Sequence, residues 1–336
     1  MVSISHEFFM QRCIDLSQTG MGAVAPNPMV GSVLVHEGRI IGEGFHRVYG
    51  EAHGEVNCIN SVPEELQSLI PKATMYVSLE PCAHHGKTPP CADLIIARKI
   101  PKVVVGCVDT FSAVAGKGIQ RMKDAGIEVI TGVLEEACRA VNRRFFTFHE
   151  KKRPYIILKW AQSADGFIAP PDGQSVRISN VYTDRLVHQW RTREMAIMVG
   201  KHTALKDDPK LTARLWPGKQ PLRIVIDRRL EIPGHYQLHS EEAPTIFVSE
   251  DTFDFSTDII PQLLTRLHAD NIQSVIVEGG AHLLQQFIDT VWDEARVITG
   301  KHALGGGLQA PVLHNALLQE ELEVQGDLIS MYTSST

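Results

Sequence analysis

Apolar residues recur along this chain at two spacings, and the alternation between them predicts its elements. Over residues 1–20, Phe8, Phe9, Ile14 and Leu16 are interleaved with polar positions, which predicts an amphipathic helix. After the turn Ala25-Pro26-Asn27-Pro28, residues 30–35 read as a strand and residues 40–44 as its hairpin partner, with Gly38 permitting the tight connection. A helix over 52–61, a strand over 74–79, a helix over 91–99 and a strand over 102–108 follow. The last of these is continuously apolar, as in strands buried on both faces. A helix over 119–125, a strand over 127–131 and a single helix over 135–148 complete the first half.

The polar segment Glu150-Lys151-Lys152-Arg153-Pro154 marks a domain boundary, giving one domain at residues 1–149 and a second at 150–336. The second half restarts with a strand over 155–160 and continues through a helix over 184–194 and strands over 196–199, 222–226, 245–248 and 274–277. Both halves therefore read as α/β layered domains. With 43% hydrophobic and 21% charged residues, the composition is that of a globular chain. Net charge is −6, and residues 1–150 carry 14 Lys and Arg against 16 Asp and Glu, so neither half is basic. This argues against a nucleic-acid or membrane-surface partner. The first seven residues have neither a basic start nor an apolar run, and no stretch approaches the roughly 18 apolar residues of a membrane span.

Cysteine usage is uneven: Cys13, Cys58, Cys82, Cys91, Cys107 and Cys138 all precede residue 140, and the last 198 residues have none. In a reducing cytoplasm, the expected setting, clustered cysteines point to metal or catalysis over disulfides. The informative set is His53-Gly54-Glu55 followed by Pro81-Cys82-Ala83-His84-His85-Gly86-Lys87-Thr88-Pro89-Pro90-Cys91. One imidazole and two thiolates make three zinc ligands and leave a tetrahedral position for water, whose pKa the metal lowers to roughly 7. Glu55, two residues from His53, can take the water proton and return it to a leaving amine. A closed structural site with His84 or His85 as fourth ligand is the alternative, but it leaves Glu55 without a purpose. Cys13, Cys58, Cys107 and Cys138 are expected to be small core residues.

Zinc deaminases of the short pattern separate their cysteines by two residues, whereas eight separate Cys82 from Cys91. With APNPMVG upstream and VAGKGI downstream, the run PCAHHGKTPPC resembles the bifunctional deaminase–reductase family of riboflavin biosynthesis, and the resemblance extends to about residue 330. It implies a cytidine-deaminase-like three-layer domain followed by a dihydrofolate-reductase-like α/β domain. The first would remove the exocyclic amine of 2,5-diamino-6-(ribosylamino)-4(3H)-pyrimidinone 5′-phosphate. The resemblance implies His53, Cys82 and Cys91 as ligands of one zinc ion per chain, and Glu55 as acid/base. It also places Asn27, His46 and Lys87 on the substrate; a turn-forming Asn and a solvated Lys are the alternatives for Asn27 and Lys87. Gly54 stands where the family usually has Ala, and Asp109-Thr110-Phe111 where Asp-Pro-Asn is more usual.

In the second half no G-x-G-x-x-G follows a strand, so a Rossmann domain is not supported. Gly305-Gly306-Gly307 reads as a flexible turn. Residues 275–284 run from a strand through Gly279-Gly280 into a helix, presenting backbone N–H groups suited to a phosphate. The resemblance implies NADPH-dependent reduction of ribose to ribitol, with Ala161, Thr203, Asp207, Gly280, Ala281, His282 and Leu283 as cofactor contacts. Ser175, Arg191, Leu211, Arg214 and Glu278 become substrate contacts, and residues 203–212 fit the family's T-x-x-x-D-D-P-x-L-T pattern. Arg191 and Arg214 suit a sugar phosphate, which needs fork-shaped donors; the alternative is two surface arginines. Arg177 lies where a Trp often stacks on cofactor, and Arg228 where a small hydroxyl residue is common. A homo-oligomer acting on a small phosphorylated pyrimidine, without nucleic acid or membrane, is expected. A base deaminase of tRNA or DNA shares the zinc chemistry, and a non-enzymatic binding module would make the zinc structural. The acidic balance and the second domain argue against the former.

Overall fold

A computed structural model describes residues 5–83, 89–110 and 115–335. The chain divides into two compact units, Met1–Lys152 and Arg153–Thr336. In the first, α1 (His6–Gln18), β1 (Gly31–His36), β2 (Arg39–Phe45) and α2 (Gly54–Asn60) precede a 3₁₀ helix at Glu64–Lys72. Then come β3 (Thr74–Leu79), α3 (Cys91–Ala97), β4 (Lys102–Cys107), α4 (Lys117–Asp124), β5 (Glu128–Thr131), α5 (Glu135–Val141) and α6 (Arg143–Lys151).

The strands form one sheet of order β2-β1-β3-β4-β5, with β1 antiparallel to β2 and β3, and β3, β4 and β5 parallel. Both faces are covered. Leu34, Met75, Val77, Val103 and Val105 pack with α2, α3 and α4 through Ile59, Ile95 and Met122. Val33, Tyr76 and Val104 pack with α1, α5 and α6 through Phe9, Cys13, Cys138 and Phe146. This two-sided burial is why the strands are apolar runs and not alternating ones. Cys13, Cys58, Cys107 and Cys138 are fully buried.

One expected element is corrected. Residues 135–148 do not form a single helix; it breaks at Asn142, between α5 and α6. The Asn142 side chain accepts from Met29 N at 2.7 Å and donates to Met29 O at 2.8 Å. A buried backbone amide in the loop before β1 thereby obtains both its partners from one side chain, and that loop carries Asn27.

The second unit runs β6 (Tyr155–Gln162), β7 (Phe167–Ala169), α7 (Val181–Arg193), β8 (Ala196–Gly200), α8 (Lys201–Asp207), β9 (Leu222–Ile226) and β10 (Thr245–Val248). It continues with α9 (Ile259–Ala269), β11 (Ser274–Val277), α10 (Ala281–Thr290), β12 (Glu294–Thr299), β13 (Leu308–Gln309), β14 (Ala316–Val324) and β15 (Asp327–Ser334). Its main sheet has the order β10-β9-β8-β11-β6-β12-β15-β14, parallel from β10 to β12 and antiparallel over β15 and β14. Helix α7 begins earlier than the apolar pattern indicates, because Asn180 caps it by accepting from Tyr182 N and Thr183 N. Gly305-Gly306-Gly307 is not a free turn. Asp165 accepts from Leu304 N at 2.9 Å and Gly305 N at 2.7 Å, and a Cβ at Gly307 would lie 2.0 Å from Ala169 O.

The Asn142 clamp makes a stability prediction. Asn142→Ala strands a buried N–H and a buried C=O, which is expected to cost the first unit about 2–4 kcal/mol. Urea unfolding followed at that unit's transition checks it.

Candidate functional site

Three segments converge at one side of the first sheet. His53 is the N-cap of α2, Cys82 follows the end of β3, and Cys91 opens α3. His53 Nδ1 lies 3.7 Å from Cys82 Sγ and 3.4 Å from Cys91 Sγ, and the three ligand atoms all fall within 4.8 Å of one another. Cys91 N donates to Cys82 Sγ at 3.3 Å, and Ala92 N to Cys82 O at 3.1 Å, so the start of α3 holds Cys82 in place. The hydrogen bond with Cys91 is the largest influence lowering the Cys82 thiol below the ordinary thiol range. One imidazole and two thiols at this separation are the donor set of a zinc site with three protein ligands. Among the described residues this is the one such cluster; His84 and His85 lie outside them.

Glu55, in the first turn of α2, is 2% exposed, and its Oε2 has no hydrogen-bond partner among the described residues. Burial pushes its carboxyl up to about 7, against the opposing influence of His53. An orphaned, desolvated carboxylate beside the three donors fits a group that exchanges protons with something bound there. Gly54 has a local reason: a Cβ there would lie 2.7 Å from Val30 O, so α2 sits closer to β1 than an alanine allows without a shift.

His46 is buried, with its ring 5.2 Å from that of His53. Its Nδ1 donates to Ala52 O at 3.0 Å, which leaves Nε2 to accept from Asn27 Nδ2 at 3.2 Å. Burial lowers the His46 pKa, in keeping with this neutral tautomer. Asn27 and His46 thus form a coupled polar pair at the site. Lys87 and Phe111 lie outside the described residues.

In the second unit Glu278 stands just beyond β11, its side chain 5% exposed. Arg191 from α7 donates to it twice, at 2.8 and 2.7 Å, and donates to Thr212 O at 3.0 Å. Lys159 Nζ on β6 lies 3.6 Å from the same carboxylate. Burial alone would push the Glu278 carboxyl up, but Arg191 and Lys159 overcome it and hold it at about 2. Two residues expected on substrate are therefore paired with each other. Lys159 is a member that sequence reasoning missed; its signal was a lone cation in an otherwise apolar strand. Leu211 is buried beside Arg191's partner Thr212, whereas Arg214 and Ser175 are exposed.

Of the expected cofactor contacts, Thr203 and Gly280 come together. Gly280 is the N-cap of α10, whose first turn contains Ala281, His282 and Leu283. A Cβ at Gly280 would lie 3.0 Å from Thr203 Oγ1, so Thr203 on α8 faces the glycine turn. Asp207 ends α8, and Ala161 is half-buried on β6. Arg177 is instead engaged with Asp184, and Arg228 with Glu250 at 2.8 Å.

Comparison with known proteins bears on both units. Residues 3–107 match the family model of the cytidine and deoxycytidylate deaminase zinc-binding region, and residues 154–333 that of the RibD C-terminal domain. The riboflavin biosynthesis protein RibD of Aquifex aeolicus is 37% identical over 334 residues, covering 94% of this chain and 93% of its own length. The crystal structure of a diaminohydroxyphosphoribosylaminopyrimidine deaminase/5-amino-6-(5-phosphoribosylamino)uracil reductase from Thermotoga maritima is similar with a TM-score of 0.89. It is 36% identical, and the match covers 98% of each chain. RibD of Acinetobacter baumannii gives the same TM-score at 31% identity, covering 98% of this chain and 99% of that one. With a zinc-region deaminase unit and a RibD C-terminal unit joined in one polypeptide, this chain belongs to the RibD family of bifunctional riboflavin biosynthesis enzymes.

Proposed function

We propose that residues 1–149 deaminate 2,5-diamino-6-(5-phosphoribosylamino)pyrimidin-4(3H)-one at the His53–Cys82–Cys91 cluster, and that residues 150–336 then reduce the ribosyl chain to ribityl with NADPH. The observation that carries the first assignment is the orphaned carboxylate of Glu55 buried against three zinc-type donors. His53, Cys82 and Cys91 hold the metal. Bound zinc supplies a nucleophile from water at neutral pH. Glu55 Oε2, which has no hydrogen-bond partner among the described residues, would carry a proton between an attacking water and the departing amine. Asn27 uses its amide on the pyrimidine edge, oriented by His46, and Lys87 meets the phosphate or ribose. The polar wall made by the coupled Asn27–His46 pair supports this placement.

In the second domain NADPH supplies the reducing equivalents. Gly280, Ala281, His282 and Leu283 offer backbone N–H groups at the start of α10 to its phosphates, with Thr203, Asp207 and Ala161 lining the same side. Ser175, Leu211 and Arg214 contact the substrate. Arg191 and Glu278 do so as an ion pair whose remaining hydrogen-bonding capacity faces the sugar. Lys159, the third charge of the cluster, adds a mobile cation near the reacting chain. The setting is cytoplasmic, supported by the absence among the described residues of any helix long and apolar enough to cross a membrane. Self-association is supported by Leu317, Leu318 and Leu322, which are exposed along the edge strand β14.

Three measurements test these assignments. Incubation with the diaminopyrimidine phosphate should release ammonia without NADPH and oxidise NADPH when it is added; ammonia alone would remove the reductase assignment. Glu55→Gln should lower ammonia release about 10²–10⁴-fold while zinc stays near one per chain. Full activity in that variant would rule out its proton-transfer role.

The Glu278 cluster predicts a pH dependence. Its carboxyl ionises at about 2 in the fold, against an ordinary value of 4.5. The stability it brings is fully present above the ordinary value and is lost as pH falls toward the folded one. Urea midpoints of the second unit should therefore fall from about pH 5 downward. Arg191→Met should flatten that decline and lower NADPH oxidation, with ammonia release unchanged.

A further inference from the structure

Glu80 lies between β3 and Cys82 and is 4% exposed. Its carboxylate is satisfied by backbone alone among the described residues. Oε1 accepts from Gly118 N at 2.9 Å and Ile119 N at 3.3 Å. Oε2 accepts from Gly116 N at 2.9 Å and Asp109 N at 3.3 Å. Gly118 and Ile119 belong to the first turn of α4, where N–H groups have no intrahelical acceptor, and the N-cap residue Gly116 has no side chain to supply one. Glu80 thus caps a helix that starts 37 residues further along the chain, and its negative charge suits that end of the helix dipole.

The cap fixes α4 against the metal-binding segments. A Cβ at Gly118 would lie 1.9 Å from Pro81 O, so the helix start is in van der Waals contact with the residue before Cys82. One turn later Arg121 reaches both thiol-bearing segments. Its Nη1 donates to Ala83 O at 3.1 Å, the residue after Cys82. Its Nε pairs with Asp93 at 2.7 Å, two residues after Cys91. Through α4, then, Glu80 connects the Cys82 strand end to the α3 start that carries Cys91.

We propose that Glu80 is a positioning residue that sets the separation of Cys82 and Cys91 by capping α4, with Arg121 as the second arm of the same brace. The inference rests on reading the cluster as a zinc site. A thiolate pair needs its sulfurs held at one separation before the ion arrives. The brace supplies that order from outside the residues that separate the two cysteines. Supporting residues beyond the ligands typically alter metal affinity 10–100-fold when removed.

The test is chelator competition for Zn²⁺ on the full chain, together with the visible spectrum of the Co²⁺-loaded protein. Glu80→Gln preserves volume but turns an amide NH₂ toward two backbone donors, so half the cap is lost. Its zinc affinity should fall about 10–100-fold, and the thiolate–cobalt bands should shift. Arg121→Met, at an exposed position that folding tolerates, should weaken zinc about 3–10-fold. The double variant should lose less than the product of the two, because both act through α4. NADPH oxidation by the second unit on deaminated substrate should be unchanged. A Glu80→Gln protein that melts earlier but keeps its zinc affinity within about twofold and its cobalt spectrum intact has a structural Glu80 only, and overturns the proposal. If that variant does not fold, unchanged zinc affinity in Arg121→Met overturns it instead. Wild-type protein without stoichiometric zinc would overturn the zinc reading beneath it, a distinct result.

Discussion

A carboxylate taken out of water must find opposite charge, hydrogen-bond donors or a proton, and Glu278, Glu80 and Glu55 meet that demand under different conditions. Glu278 has two cations, Arg191 and Lys159, and stays ionised to about 2. Glu80 has four backbone N–H groups, two from a helix start. Glu55 leaves one oxygen without a partner, and burial pushes its carboxyl up to about 7. The same side chain thus becomes an ionic anchor, a helix cap and a carboxyl held near neutrality. The deciding difference is what surrounds it, since all three have almost no access to solvent.

The sheets explain where these carboxylates stand. Glu80 immediately follows β3, which has β4 as a parallel neighbour, and Glu278 immediately follows β11, which lies between two parallel strands. In such sheets the strands end where the following helices begin, so free N–H groups and incoming side chains collect on one edge. In the first unit that edge receives Cys82, the start of α3 with Cys91, and the start of α4. In the second it receives the glycine turn before α10 and the beginning of α8. The two units reach the same solution with different chemistry: thiols and imidazole in one, backbone amides and an ion pair in the other.

Much of this was legible in the residues. Strands buried on both faces are continuous apolar runs, so β3, β4, β6, β8 and β11 stand out, and the spacing of His53, Glu55, Cys82 and Cys91 indicates the metal chemistry. What was not legible depends on partners distant in sequence. Asn142 breaks a helix because it clamps Met29, 113 residues earlier. Glu80 caps α4 across a connection that no local pattern encodes. Lys159 joins a carboxylate that lies on another strand. The β14–β15 pair was hidden for a different reason: β14 is exposed along most of its length, so its sequence lacks the in–out alternation of a half-buried strand. Of the expected site residues, Lys87 falls outside the described residues.

The uneven cysteines take their meaning from these constraints. Cys13, Cys58, Cys107 and Cys138 are fully enclosed, and burial raises their thiols, which makes them poor ligands or nucleophiles. Cys82 is the opposite case: partly exposed, hydrogen-bonded by Cys91 and His53, and lowered. Cys82 and Cys91 differ from those four in what their sulfurs face, His53 Nδ1 at 3.7 and 3.4 Å, so composition marks the half of the chain and convergence on one imidazole selects the sulfurs. The second half carries no such site among its described residues. What its sheet edge collects instead is the row of backbone amides opening α10 and the Arg191–Glu278 ion pair.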